Sequence, residues 1–552
     1  MQVIRVRKIS ARRSTLAAAV ALALVTASSP AFSQTAEKQS LEEVRNTVIN
    51  LLEALVQKGI MTRDQAAAMV ASAQEKASAA AKTQADKDAA ESGAVRVTHV
   101  PEMVRQQIRE EVKAELTPEV TKEVLAQAKA EQWGVPGALP DWIRNVRLYG
   151  DVRSRYESTL YADDNAINNY PNFSAINAAG GIGKAGIAAL LNTTEDRNRL
   201  VGRLRTGATV QLGNAFALDF RLTGGNAATP VSTNQTLGTY GGRWDFNVDK
   251  AAVLWNPVNS EHTREFDLRF GRFGSPFVTN NELLWDNDVT FEGLSATYAM
   301  DLFGSDPAKM ERGLFLTLGA FPLQEVELST RDKWLYAGQL GAEFAFGSSS
   351  KLRITTGYFD YENITGVRNS AEGSIFDFTA PRFLQKGNTL FDIKNTVDQS
   401  VNLYALAADY KIANANVMLD LGFGATHVML GAEYVKNLGW DDAEVRERTL
   451  KDVEERTEGY EVSAQVGHPS LVALWDWRAF ILYRYLQRDA VLDAFTDSDF
   501  HLGGTDAKGY QVGFDLGLSR GAWLRLRYLS ASEIDGPPLG IDIWQLDLNG
   551  QF

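Results

Sequence analysis

The sequence predicts an all-β transmembrane antiparallel β-barrel of about sixteen strands, preceded by an α-helical, coiled-coil-like segment. Three observations carry this reading. The hydrophobic period switches from 3.6 to 2 near residue 140. Each strand after the switch splits into one apolar and one charged face. The connections between strands alternate between short and long.

The N-terminus reads as a signal peptide over residues 1–33. Arg5, Arg7, Lys8, Arg12 and Arg13 form a basic start. Leu16 to Val25 is apolar but too short to span a bilayer as a helix. Ala31-Phe32-Ser33 is a small-x-small cleavage site, so the mature chain is expected to begin near Gln34. Losing those five basic residues takes the formal charge from −13 to −18, which argues against nucleic acid as a partner. The absence of cysteine excludes disulfides, thiol catalysis and Cys-ligated zinc. No later run of about 18 apolar residues exists. A membrane role therefore requires a closed barrel, because only helices and barrels satisfy their backbone in lipid.

Residues 34–133 carry a helical pattern expected to lie in the periplasm. Ser40 and Glu43 form a capping box, and Leu41, Val44, Val48, Leu51 and Leu55 alternate steps of three and four. A later helical segment starts near Pro101 and carries Val104, Ile108, Val112 and Leu116. Two heptads leave both a solvated spacer and an oligomerising or envelope-contacting stalk open. Residues 134–143, rich in Gly and Pro, read as a linker, and 144–552 as the barrel.

The first strand shows the alternation. Val146, Leu148, Gly150, Val152, Ser154 and Tyr156 share one face, and Arg147, Tyr149, Asp151, Arg153, Arg155 and Glu157 the other. Leu200, Leu204, Val210 and Leu212 oppose Arg199, Arg203 and Arg205. Phe216, Leu218 and Phe220 oppose Asp219 and Arg221. Trp475, Trp477, Ile481 and Tyr483 oppose Asp476, Arg478, Arg484 and Arg488, and Leu524 and Leu526 oppose Arg525 and Arg527. A soluble sandwich would bury the apolar face. A barrel turns it to lipid and keeps the charged face on a wet lumen. Strands near Phe246, Leu294 and Val417 have the weakest pattern. Leu212 to Phe216 reads as a tight turn, while Thr159–Asp196, Asn226–Asp245 and Val367–Ser400 read as long loops. At the C-terminus Trp544, Leu546, Leu548, Gly550 and Phe552 alternate with polar residues. A terminal amphipathic strand ending in Phe resembles the signal read by the barrel assembly machinery, which makes that machinery and outer-membrane lipid expected partners.

Several segments resemble the proteobacterial putative porin family. Trp133-Gly134-Val135-Pro136-Gly137-Ala138-Leu139-Pro140-Asp141-Trp142 is similar to its helix-to-barrel junction. Gly271 to Phe277, followed by Leu284-Trp285-Asp286-Asn287-Asp288 and Glu292-Gly293-Leu294, is similar to its central motif, as is Asp489 to Phe500 continuing to Gly509. The resemblance spans about Leu41 to Phe552 and implies an outer-membrane barrel with a helical N-terminal extension. It does not name a solute, because fold does not settle function.

The candidate pore-lining residues are Arg147, Arg153, Arg155, Arg199, Arg203, Arg205, Arg221, Arg478, Arg484, Arg488, Arg525 and Arg527. Arginine ladders favour anions in a pore. The competing expectation is that they pair with Asp151, Glu157, Asp219, Glu343, Glu433 and Asp515 and brace the wall. Asp286, Asp288 and Glu292, or Asp497, Asp499 and Asp506, are oxygen-ligand candidates for a divalent cation, although loop carboxylates are ordinarily just solvated. Gly181-Ile182-Gly183-Lys184-Ala185-Gly186 spells a dinucleotide fingerprint but lies in a loop, without the strand and crossover helix such a site needs. The five histidines show no metal spacing, and no nucleophile–base set emerges. The expectation is therefore a passive channel for small polar solutes, without cofactor or catalysis. A homotrimer is compatible with the coiled-coil seam. The rivals are a solute-specific channel and an envelope anchor whose stalk contacts peptidoglycan or a partner and whose lumen is plugged.

Overall fold

The computed structural model of the chain describes residues 145–226, 228–257, 264–302, 313–347 and 349–552. The expected signal (1–33), helical segment (34–133) and linker (134–143) lie outside them. The wall comprises β1 (Val146–Tyr161), β2 (Arg197–Leu212), β3 (Phe216–Gly224), β4 (Phe246–Trp255), β5 (Arg264–Gly274), β6 (Thr290–Met300), β7 (Leu314–Gln324) and β8 (Lys333–Phe346). It continues through β9 (Ser350–Glu362), β10 (Tyr410–Phe423), β11 (Thr426–Asn437), β12 (Glu458–Gly467), β13 (Trp477–Leu486), β14 (Ala507–Ser519), β15 (Ala522–Glu533) and β16 (Gly540–Gln551). Each strand pairs antiparallel with the next. β16 returns to β1 in the register Asp151↔Gln551 through Tyr161↔Ile541, which closes a sixteen-stranded barrel. A two-residue piece, Gln235–Thr236, adds to β2 opposite Val201 and Gly202. The three weakly patterned strands are present as β4, β6 and β10.

Burial is inverted relative to a soluble protein. On β1, Leu148 is 69% exposed while Arg155 is 2% exposed. On β16, Leu546 is 48% exposed while Asp547 is 2%. The same alternation continues through Leu218, Leu340, Ile354, Tyr434, Ile481, Val512 and Leu526, all outward and exposed. An apolar outer surface is the arrangement hydrocarbon requires. Outward Tyr460 and Tyr485 stack at 5.4 Å toward the long-loop end of their strands, where an interfacial aromatic belongs.

Connections alternate over most of the barrel, with an exception at β6–β7, whose 13 residues (301–313) on the short-turn rim outnumber the 8 (325–332) between β7 and β8. β10 and β11 are joined by two residues, Gly424 and Ala425, and Gly424 takes φ +70, a conformation that favours glycine in a tight hairpin. Gly213 does the same between β2 and β3 at φ +76. β1 begins and β16 ends at this short-turn rim. The opposite rim carries the long loops, including residues 363–409, where Leu390–Asp392 pairs with Tyr404–Leu406. The strand expected to carry Trp475 and Asp476 starts instead at Trp477. Trp475 sits at φ +73 in the preceding turn, and Asp476 Oδ2 there accepts from the amides of Val472 and Ala473 at 2.8 and 2.7 Å. The glycine fingerprint falls in the β1–β2 loop, where a Cβ on Gly181 would come within 2.5 Å of Ser400 O, so glycine serves loop–loop approach.

Leu546 lies mid-row on the outer face of β16. Replacing it with Arg is expected to cost about 2–4 kcal/mol of folding free energy for a position near mid-bilayer. A denaturant titration of the protein in lipid vesicles checks this. A wild-type midpoint for L546R would contradict the lipid-facing assignment.

Candidate functional site

Residues 275–289, between β5 and β6, fold into the barrel. The cause is composition: Phe277, Leu283, Leu284, Trp285 and Val289 are apolar and all become buried. Burying such side chains yields roughly 1.5–3 kcal/mol each, more than an exposed loop could retain. They pack on inward residues of the adjacent wall. Phe277 meets Phe359 at 5.1 Å and Trp285 meets Phe291 at 5.0 Å, both edge-on. Trp285 also reaches Phe495 of the β13–β14 loop at 5.7 Å. Inward residues of β4 to β11, with Leu486 of β13, and the inward segments of the long loops share one apolar cluster.

Polar clasps carry the loop across the lumen. Gln339 of β8 accepts from Val278 N and donates to Val278 O, both at 2.8 Å. Asn280 donates to Val417 O of β10 at 2.8 Å, and Asn281 to Ser463 Oγ of β12 at 3.1 Å. Asp286 N donates to Phe495 O at 2.8 Å, while Asp286 Oδ2 accepts from Ser498 N at 2.9 Å.

The opposite half of the inner wall is ionic. Asp288 pairs with Arg203 at 3.2 Å and Arg205 at 2.8 Å, and Asp151 pairs with the same two arginines. Asp499 pairs with Arg155 at 2.9 Å and Arg527 at 2.5 Å, and Asp497 with Arg484 at 3.1 Å. Two inward loops are thus clamped onto β1, β2, β13 and β15. Deeper in the wall, Arg155 forks onto Asp547, Arg199 pairs with Glu157, Arg221 with Asp249, and both Arg478 and Arg525 with Asp515. Arg153 is 4.0 Å from Asp547. Arg147 is exposed near the short-turn rim.

Several expectations need correction. Arg488 is not on a strand with Arg484: it follows the end of β13, lies 3.5 Å from Asp489 and donates to Glu454 O. Asp286, Asp288 and Glu292 do not converge, because Asp288 is held by arginines, Glu292 by Arg272, and Asp286 by backbone amides. Asp497, Asp499 and Asp506 are likewise separated by arginine pairs on the first two. Among the described residues no three His, Asp or Glu side chains are grouped to hold a metal. Asp219 is bound by Tyr149 and Lys250 rather than by arginine, and Glu343 by Lys351 and Arg353. The clasp residues Gln339, Asn280 and Asn281 were missed. The available signal was a long connection unusually rich in large apolar residues.

Burial pushes the Asp286 carboxyl up, and the carboxylates of Glu282, Asp288 and Asp497 add to the rise. Glu282 is raised by burial and by Asp497. Burial would also raise Asp499, but Arg155, Arg527 and Arg153 outweigh it and hold that carboxyl well below the usual range. Cavities flank the loop junction. One, about 570 Å³, is lined by Glu157, Arg199, Asn234, Arg382, Lys386 and Asp499 among others. Another, about 370 Å³, is lined by Glu282, Arg478, Arg484, Asp497, Arg525 and Arg527 among others. Asp497 and Asp499, two residues apart, thus face different cavities.

A family model described as "Putative porin" matches residues 45–552. No curated protein matches. Solved structures similar to the chain include OprB of Pseudomonas putida at 11% identity, covering 74% of this chain and 95% of that one with a TM-score of 0.40. The outer membrane channel DcaP of Acinetobacter baumannii shares 13% identity over 74% and 97%, with a TM-score of 0.38. The anion-selective porin from Comamonas acidovorans shares 12% over 74% and 99%, with a TM-score of 0.37.

The docked loop has a defined pH response. A raised carboxyl binds more protons folded than unfolded, so Asp286 and Glu282 weaken docking as pH rises above the ordinary carboxylate range. The lowered Asp499 acts oppositely, and its contribution is lost only as pH falls below that range. Hydrogen-exchange protection of residues 275–289 is therefore expected to fall from mildly acidic to alkaline pH, and to fall less in Asp286→Asn. A protection that rises with pH in the wild type would reverse the assignment.

Proposed function

The chain belongs to the putative porin family, and we propose that it is an outer-membrane channel through which small polar solutes diffuse passively, with anions preferred. Family and barrel together support an outer-membrane channel. The observation that carries the anion preference is the charge lining the cavities. Arg478, Arg484, Arg525 and Arg527 face Glu282 and Asp497 in one, and Arg199, Arg382 and Lys386 face Glu157 and Asp499 in the other. Each cavity therefore has more cationic than anionic side chains in its lining, although most of those arginines are individually paired. A net positive lining stabilises an anion leaving water and opposes a cation. Solutes would be selected by radius and charge, with the inward loop 275–289 as the constriction.

We assign residues 1–33 to a cleaved signal and 34–133 to a periplasmic stalk. A trimeric assembly is consistent with that stalk's heptad spacing.

The apolar packing of the inward loops favours a second reading, in which the barrel is chiefly an anchor with a plugged lumen. One measurement separates the two: single-channel conductance in a planar bilayer under a potassium chloride gradient. Ohmic steps with a reversal potential of anionic sign support the channel. Correctly folded protein without conductance supports the anchor. Arg478→Gln leaves Asp515 its partner Arg525, so the wall should persist while the reversal potential moves toward cations. An unchanged reversal potential in a conducting R478Q would remove this arginine from the selectivity argument.

A further inference from the structure

A row of inward side chains on β10 to β13 has more oxygen acceptors than its surroundings can satisfy. Asn416, Glu433, Glu461 and Arg484 lie directly opposite one another on successive strands. All four are nine-tenths or more buried. Facing pairs in a sheet have Cβ atoms about 4.5–5.5 Å apart, and like charges placed opposite destabilise it. Glu433 and Glu461 are such a pair.

Arg484 does not balance the row. It donates from Nε to Glu461 Oε2 at 2.7 Å and from Nη1 to Asp497 Oδ2 at 3.1 Å. Glu433 has no cationic side chain within 4.0 Å among the described residues; Asn414 Nδ2 donates to its Oε1 at 2.8 Å, and the Asn281 backbone N–H is directed at the same carboxyl. A buried carboxylate without a positive partner is costly and must be neutralised.

The neighbouring amides identify the neutralising species. Asn414 spends its N–H on Glu433, Asn416 on Val278 O at 3.2 Å, and Asn280 on Val417 O at 2.8 Å. Each amide oxygen is thereby left over. Among the described residues of this row and the loop against it, Asn280 Oδ1, Asn414 Oδ1, Asn416 Oδ1, Glu433 Oε2 and Glu461 Oε1 are buried without a hydrogen bond of good geometry, although the Asn281 side chain approaches Glu461. A proton would neutralise one carboxylate and serve one acceptor. A hard cation takes about 6–8 oxygens, drawn from carboxylates and amide carbonyls. No His belongs to the set and the chain has no Cys, which disfavours softer metals. Of the set, Asn280 also lines the cavity of about 370 Å³.

We propose that Glu433, Glu461, Asn414, Asn416 and Asn280 form a binding site for a divalent cation of the calcium class, which pins the inward loop to β10, β11 and β12. Asn280 is the loop's contribution, so occupancy and loop docking are linked. The proposal is independent of the solute preference.

The test uses the full-length protein, refolded in detergent free of lipopolysaccharide, whose phosphates would themselves bind calcium, and stripped with EDTA. Equilibrium dialysis against radioactive calcium should find one ion per barrel, with a dissociation constant of about 1 mM or tighter. Calcium should raise the heat-modifiability midpoint, and EDTA should return it. Glu433→Gln and, separately, Asn280→Ala should each weaken binding by about tenfold or more. Glu454→Gln, at an exposed loop carboxylate, should leave binding unchanged. If Glu433→Gln fails to fold, the loop variant Asn280→Ala and the wild-type stoichiometry still decide the matter. Absence of wild-type binding at about 10 mM calcium, beyond the range of the weakest protein calcium sites, would overturn the proposal. So would binding that survives both substitutions. A Glu433→Gln barrel of higher midpoint, with a wild type indifferent to calcium, would mean that a proton neutralises the row.

Discussion

Hydrocarbon offers no partner to a backbone N–H or C=O, and the pairing of β16 with β1 is where this chain meets that constraint. Without the eleven-residue register from Asp151↔Gln551 to Tyr161↔Ile541, two edges would face lipid with every ladder group unpaired. Closure also decides which face of each strand is outside. Leu148, Val152 and Tyr156 line up with Leu546 and Leu548 toward the bilayer because Arg153, Arg155 and Asp547 have only the lumen left. The rest of the interior follows from having to accommodate those charges.

The interior is divided. From β4 to β11 the inward side chains include Phe273, Phe291, Phe321, Leu335, Phe359 and Ile412, an apolar patch with no lipid to meet, beside the polar row of Asn414, Asn416 and Glu433. Such a surface needs a cover, and the loops carrying Phe277, Trp285, Leu384 and Phe495 supply it. From β13 through β16 and β1 to β3 the wall is rich in arginine and carboxylate, which holds water or ion pairs. Inward loops with one apolar and one acidic side fit between these halves. Their position is set by burial on one flank and by charge on the other.

This division explains what could be read from the chain in advance. Alternation along Val146–Glu157 or Leu524–Tyr528 is a local, period-two property, so strand identity, count and facing were legible. The arginine positions were legible for the same reason, and Arg488 was misplaced because strand β13 ends at Leu486, one boundary earlier than the alternation suggested. The inward loop was not legible. Leu283-Leu284-Trp285 has no period, and the partners that bury it, such as Phe359 and Phe495, are distant in sequence. Nor does any spacing show that Asp288 and Asp499 meet Arg205 and Arg155 across the barrel. The carboxylates grouped by proximity in sequence were separated in space, each drawn to the nearest guanidinium.

The ion pairs of the inner wall are better understood as positional devices than as a source of stability. Desolvating Arg155, Asp547 and Asp499 together offsets much of their attraction, and a well-packed apolar replacement could hold the strands as firmly. An apolar replacement would also extend the dry half of the lumen around the whole circumference. The loops would then have apolar wall on both flanks, and nothing would keep cavities open beside them. Guanidinium–carboxylate pairs are directional and remain hydrated where space allows. They fix Asp288, Asp497 and Asp499 at defined points while Arg478 and Arg525, sharing the buried Asp515, keep part of their surface on a cavity. The ionic half-wall therefore does for the lumen what closure does for the bilayer face: it determines which surface meets water, and leaves a polar route beside a loop that the apolar half-wall holds in place.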